Sequence, residues 1–363
     1  MVVLERIGAL WNAFLRTSIC LIALVAAAVI VPGAGAPTVK IVVPPGFQVS
    51  AFAAGLEHPT AMAWGPDDRL YVTEDTGLAV VAPRGSRKPL VVARRLRTPL
   101  GLAWQDQTLY VSEQGRLTRF RLQGAALSGR HALVRGLPFK LHQQDNVVLG
   151  PDGRLYMGNG STCDVCREKD RRSATVLSLR PDGSDLRIVA RGLRNAFGLA
   201  FQPGTGRLYA SVNGQDELGT RARPEPAETV VAVREGAFYG WPRCWPSYQK
   251  RRLVGRCGGV TPPAAYLEPH SSADGIAFYT GSSFPETYRG DLFVALWGEY
   301  LSNRHGRKVV RVKLGREGRA TRVTEFARGF DHPLALALDR DGALLVADWG
   351  RGVIYRIQSR TGA

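Results

Sequence analysis

Four of the six histidines in this chain, His58, His142, His270 and His332, stand just ahead of short apolar segments. Arg97 and Arg194 occupy the corresponding place before two further segments. Polar groups also follow the next apolar stretch in each case: Glu74-Asp75, Glu113-Gln114, Asn159, Asn213 to Glu217, Trp297 to Glu299, and Asp348. A neutral imidazole accepts protons or ligates metals, whereas a guanidinium stays charged and pairs with oxyanions. Carboxylates serve acid–base chemistry or hard cations. A single histidine is more often just hydrogen-bonded to a neighbouring carbonyl. Four of them, gathered with arginines, carboxylates and asparagines, make a candidate site for an anionic or metal-held ligand.

Such gathering requires a fold that repeats, and the chain repeats. A short apolar strand, a turn and a second strand opening on leucine recur six times, the leucine being followed by an aromatic residue in five of them. The pairs are Ala61–Trp64 with Leu70–Val72, Gly101–Trp104 with Leu109–Val111, and Val147–Leu149 with Leu155–Met157. They continue as Gly198–Phe201 with Leu208–Ala210, Gly275–Phe278 with Leu292–Val294, and Ala335–Leu338 with Leu344–Val346. Turns such as Gly65-Pro66-Asp67-Asp68 and Gly150-Pro151-Asp152-Gly153 join them, and 41 glycines and 22 prolines in 363 residues fit an all-β chain. Six hairpins at mostly forty- to fifty-residue spacing predict a six-bladed β-propeller with four-stranded antiparallel blades. In a propeller the segment entering each inner strand and the end of each second strand share one face, which puts the polar groups above around a central channel. The widest interval, holding Phe238 to Pro242 and two cysteines, reads as an insertion between blades.

At these residues the chain resembles the soluble quinoprotein glucose/sorbosone dehydrogenases, which use pyrroloquinoline quinone (PQQ). The resemblance lies in His142–Gly153 (HQQDNVVLGPDG), Gly192–Phe201 (GLRNAFGLAF), Asn213–Gly219 (NGQDELG), Phe238–Pro242 (FYGWP), His270–Gly281 (HSSADGIAFYTG) and Phe284–Leu296. It implies oxidation of an aldose or related sugar by hydride transfer to the quinone, with His142 as general base. It further implies that Arg194 stabilises charge on the quinone oxygen, that Asn195 and Asn213 orient the cofactor, and that Ca²⁺ polarises it. Gly214, Gln215, Asp216 and Glu217 are the metal-site candidates by position. A diffusible acceptor or cytochrome would then take the electrons, since no haem motif is present.

Two departures stand out. Where the glucose-oxidising members carry a cofactor-binding lysine, this chain has Trp297-Gly298-Glu299, and where they carry two arginines it has Asp331-His332-Pro333-Leu334. His332, or Arg304 and Lys308, would have to meet the carboxylates of PQQ instead. Two other functions compete: a non-catalytic secreted propeller that binds carbohydrate or protein, and a calcium-dependent propeller lactonase in which the metal activates water.

Residues 1–36 read as a secretory signal or an N-terminal membrane anchor, with Arg6 and Arg16 ahead of an apolar run from Ile19 to Val31 and a small-residue stretch Gly33–Ala36. The propeller domain then occupies 37–363, in the periplasm or outside the cell. Export favours disulfides, and short separations make Cys163 with Cys166 and Cys244 with Cys257 the natural pairing among the three that these four cysteines allow. A four-thiolate zinc site is the competing reading. The net charge of +17 is scattered along the chain without a nucleic-acid-binding module, so nucleic acid is not an expected partner.

Overall fold

The computed structural model describes residues 40–74, 77–81, 89–216, 218–220, 223–299 and 304–360. The proposed signal or anchor segment and Glu217 lie outside them. The described residues form an all-β propeller of four-stranded antiparallel blades, with six such sheets in chain order. Sheet 1 comprises Pro59–Trp64, Leu70–Glu74, Gly77–Val81 and Leu90–Arg94; sheet 2 comprises Gly101–Gln105, Thr108–Glu113, Arg116–Gln123 and Ala126–Arg135. Sheet 3 comprises Gln144–Leu149, Leu155–Asn159, Thr175–Leu179 and Arg187–Arg191; sheet 4 comprises Asn195–Phe201, Leu208–Asn213, Glu228–Val233 and Ala265–Leu267. Sheet 5 comprises Ala273–Phe278, Leu292–Leu296, Lys308–Leu314 and Ala320–Arg328. Sheet 6 comprises Pro333–Leu338, Leu344–Asp348 and Val353–Ser359, and Phe47–Ala54 from the start of the described chain supplies its fourth strand. Each first-named inner strand neighbours those of the two flanking sheets, and Pro333–Leu338 neighbours Pro59–Trp64, which closes the ring.

The sequence repeat has a physical basis in each sheet. The second strands that open on leucine are buried on both faces, Leu70–Glu74, Leu208–Asn213, Leu292–Leu296 and Leu344–Asp348 along their full length. The turn aspartate accepts the hydroxyl of the aromatic residue four positions on: Tyr71 to Asp67 at 2.9 Å and Tyr156 to Asp152 at 2.8 Å. Inner strands approach one another too closely for side chains at some points. A Cβ on Gly101 would lie 2.6 Å from Asn146 Cα, and Gly198 and Gly275 face Asp274 and Leu334 in the same way.

Five of the six inner strands break register with their partners near their first residues, at Pro59/Ala61, Gln144/Val147, Ala196/Leu199, Ala273/Ile276 and Pro333/Ala335. A bulge re-aims side chains that regular pairing would send to alternate faces. Asp145 and Asp274 both lie in these irregular stretches.

One expectation needs correction, and one choice between readings is decided. The long interval is not an insertion between blades: the hairpin Cys244–Ser247 with Arg252–Gly255 leaves and returns within sheet 4, between its third strand and the short fourth strand Ala265–Leu267. That fourth strand has three residues and no Leu-aromatic start, so the repeat pattern does not reveal it. The cysteines are disulfides, Cys163–Cys166 with Cα atoms 6.1 Å apart and Cys244–Cys257 with 5.1 Å, so the thiolate zinc reading falls.

Candidate active site

A cavity of about 550 Å³ opens at the mouth of the ring. His142, Arg194, Asn195, Asn213, Gly214 and Asp216 all line it, so the structure brings together most of the residues singled out from the sequence. They arrive on the segment entering sheet 3, on the start of sheet 4's inner strand, and on the end of its second strand.

The His142 ring is oriented by Ser161. Nδ1 lies 3.0 Å from Ser161 Oγ and 3.1 Å from Ser161 O. The serine's one hydroxyl proton is used on the Cys163 carbonyl at 2.7 Å. Ser161 therefore accepts from His142, which puts the imidazole proton on Nδ1 and leaves the Nε2 lone pair available. Burial, and then the charge of Arg194, pull the His142 pKa down to about 3, so the ring is neutral at physiological pH.

Arg194 is 3 % exposed. Its Nη2 meets Asp216 Oδ2 at 2.7 Å and Asp164 Oδ1 at 2.8 Å, while Nε is buried without an acceptor. Asp164 also accepts the Asp216 backbone N–H at 3.0 Å, and its own carbonyl accepts from Trp241 Nε1 at 2.9 Å. The loop closed by Cys163–Cys166 thus braces both Arg194 and the segment after Asn213. Asn195 Nδ2 donates to Asn213 Oδ1 at 2.8 Å; Asn213 Nδ2 in turn lies 3.2 Å from Asp274 Oδ1 and Ser272 Oγ. Asn195 Oδ1 is buried without a donor.

Three buried acids underlie this corner. Glu228 accepts the Gly214 N–H at 2.7 Å, and burial pushes its pKa up to about 7. Burial drives Asp145 and Asp274 well above the carboxylate range, each with a neighbouring acid adding to the effect. Burial also raises Asp216, against the pull of Arg194.

Other predicted face residues have different roles. Glu74, Glu113 and Asp348 are buried braces: they accept the backbone N–H groups of Glu57, Arg97, and Asp331 with His332. His332 is buried and does not line the cavity. It packs against Trp297 with ring centroids 4.1 Å apart, and burial and then Arg307 hold its pKa below the usual histidine value. Lys308 is paired with Glu268 at 2.8 Å. Gln215 is buried, with its amide 3.3 Å from the Pro242 carbonyl. His58 stacks on Trp349 at 4.0 Å, and Trp349 and Trp297 form the cavity wall on the side of sheets 5 and 6.

Sequence reasoning missed Asp164, Glu228 and Trp349. Asp164 sits between two cysteines whose spacing speaks for a disulfide or a thiolate metal site and gives no sign of the carboxylate between them. Glu228 opens the third strand of its sheet, outside the segments that the repeat places on the channel face. Among the described residues the only three-residue cluster with metal-ligand spacing is Cys163, Cys166 and Glu168, and its sulfurs are bonded to each other.

Comparison with known proteins places this geometry. The glucose/sorbosone dehydrogenase family model matches residues 56–355. The chain is 25 % identical over 260 residues to quinoprotein glucose dehydrogenase B of Acinetobacter calcoaceticus, covering 54 % of this chain and 52 % of that protein. The holo form of the pyranose dehydrogenase PQQ domain from Coprinopsis cinerea superposes with a TM-score of 0.76 at 19 % identity, over 90 % of this chain and 99 % of that one. The PQQ-bound aldose sugar dehydrogenase of Streptomyces coelicolor superposes with a TM-score of 0.67 at 21 % identity, over 88 % and 100 %.

Proposed function

Because the chain belongs to the glucose/sorbosone dehydrogenase family, we propose that it is an exported PQQ- and Ca²⁺-dependent oxidoreductase that oxidises an aldose or related sugar, with His142 as general base. One observation carries the reading: a neutral histidine with its Nε2 lone pair available shares a cavity with a guanidinium whose Nε lacks an acceptor.

The residues fit the dione end of the cofactor. Arg194 Nε offers a buried donor and Asn195 Oδ1 a buried acceptor, both on cavity-lining residues. Gly214, Asp216 and Glu228 bring oxygen-bearing groups of the kind a hard cation takes to the same wall. Bound PQQ, with its metal, would supply an electrophile that accepts two electrons and a proton as hydride. His142 takes the sugar hydroxyl proton at Nε2, which lets the adjacent C–H bond deliver its hydride, and an aldose leaves as its lactone. Ser161 holds the ring in the tautomer that the step needs. Arg194 sets a fixed positive charge where negative charge develops, and its two carboxylate partners keep it from swinging away. A diffusible acceptor or a cytochrome would then take the electrons. The two disulfides suit a periplasmic or extracellular location, and residues 1–36 would direct export or anchor the chain.

The test is reconstitution of purified protein with PQQ and Ca²⁺, followed by dye reduction against a panel of aldoses. Sugar-dependent reduction supports the reading; absence of saturable PQQ binding at micromolar concentration overturns it. A second reading, a non-catalytic carbohydrate-binding propeller, draws on the aromatic wall of Trp297 and Trp349 and on Trp297-Gly298-Glu299 standing where the glucose-oxidising members carry a cofactor-binding lysine. In that case sugar binds without PQQ and no dye is reduced.

A further inference from the structure

A second cavity of about 550 Å³ lies outside the channel mouth, between sheet 3 and the hairpin inserted in sheet 4. Four arginines line it: Arg167 and Arg171 from the segment joining the second and third strands of sheet 3, Arg191 at the end of its outer strand, and Arg243 beside the hairpin. All four are exposed, and among the described residues none forms an ion pair with a carboxylate, although Asp170, held by Arg172, also feels the charge of Arg171. The two acids in the same wall are already engaged. Glu168 accepts the Thr162 N–H at 2.6 Å and its hydroxyl at 2.7 Å, and Asp170 is held by Arg172 at 2.6 Å.

A second, independent feature points the same way. Ser173 lines the cavity, is 5 % exposed, and its hydroxyl makes no hydrogen bond. Buried hydroxyls are normally paired, and one left over beside four unpaired guanidiniums suits a ligand rich in acceptor oxygens. Guanidinium groups bind such oxygens in pairs, which distinguishes this cleft from a merely cationic surface.

We propose that this cleft is an oxyanion-binding site that takes a phosphate or sulfate group, free or esterified to a saccharide, on Arg167, Arg171, Arg191 and Arg243 with Ser173 donating. The site shares a wall with the channel: Cys166 lines the cleft, and Asp164 in the same disulfide loop holds Arg194 of the channel cavity. Its assignment does not depend on the redox reading, since it needs neither quinone nor metal.

Isothermal titration of the full chain with inorganic phosphate and with sulfate, against sodium chloride at matched ionic strength, tests it. The expected result is one saturable site per chain for the divalent oxyanions. Affinity should fall at least tenfold in Arg171→Gln/Arg243→Gln and several-fold in Ser173→Ala, with far-UV circular dichroism unchanged. Glucose 6-phosphate titrated alongside separates the sources: tighter binding than inorganic phosphate identifies an esterified saccharide, and equal binding a free oxyanion. No saturable heat, an equal response to chloride, or unaltered affinity in the folded double variant would overturn the proposal.

Discussion

Asp164 and Arg194 meet at 2.8 Å at the channel mouth, the carboxylate on a loop closed by Cys163–Cys166 and the guanidinium almost wholly buried. Asp216 meets the same Nη2 from the other side at 2.7 Å. Arg194 is thus aimed by two groups from separate segments, and its free Nε is the donor left for a ligand.

Asp164→Asn should therefore disturb the site more than the fold. Asp216 remains as a partner, so a stability loss of about 1–3 kcal/mol is expected by urea unfolding. Turnover in the reconstituted enzyme should fall tenfold or more, chiefly in kcat. Loss of stability with undiminished kcat would show that the pair is only structural.

His142→Ala should lower turnover by about 10²–10⁴-fold, the range for a lost general base, while PQQ affinity changes only a few-fold. Spectrophotometric titration of PQQ and dye-reduction kinetics on the same preparation give both numbers. Retained turnover would reassign the base.

Glu228 supplies a pH signature. Its folded pKa of about 7 exceeds its ordinary value of 4.5, so the folded protein keeps a proton that the unfolded chain gives up. Its stabilising contribution is complete below pH 4.5 and is lost as pH rises through 7. Glu228→Gln keeps an oxygen for the Gly214 N–H and cannot titrate. The difference in unfolding free energy between wild type and variant should shift against the wild type across that window, by up to about 1.4 kcal/mol per pH unit. A difference independent of pH would place the ionisation elsewhere.

Glu299 lines the cavity beside Trp297, with His305 Nε2 3.8 Å from its carboxylate. Glu299→Gln removes a negative charge from the path of a tricarboxylate, so PQQ should bind several-fold tighter, and the gain should shrink at high salt. Unchanged affinity at low salt would mean that PQQ does not approach this wall.

The propeller was legible in the sequence because each sheet repeats the same local demands. A second strand opening on leucine is largely buried in every sheet, an aspartate turn receives the tyrosine hydroxyl in sheets 1 and 3, and glycine stands where inner strands touch in sheets 2, 4 and 5. The gathering of His142, Arg194, Asn195 and Asn213 followed, since the repeat fixes which segments share a face. What each group does there was not legible. Glu74, Glu113 and Asp348 look like working carboxylates in the sequence, yet in the fold they cap backbone N–H groups of the entering segments. His332 stands at a mouth position in the sequence and is buried against Trp297 in the structure.

By itself, then, the sequence determined the ring of sheets and the corner on which the channel chemistry rests, through periodic, short-range patterns that recur along the chain. Only the tertiary structure decided that Asp164 and Asp216 share one guanidinium, that Glu228 is buried beneath the Gly214 loop, and that four arginines from two sheets surround one cleft. These relationships join residues of different segments through pairwise distance and burial. They depend on where loops of unequal length come to rest, which no spacing within one strand encodes.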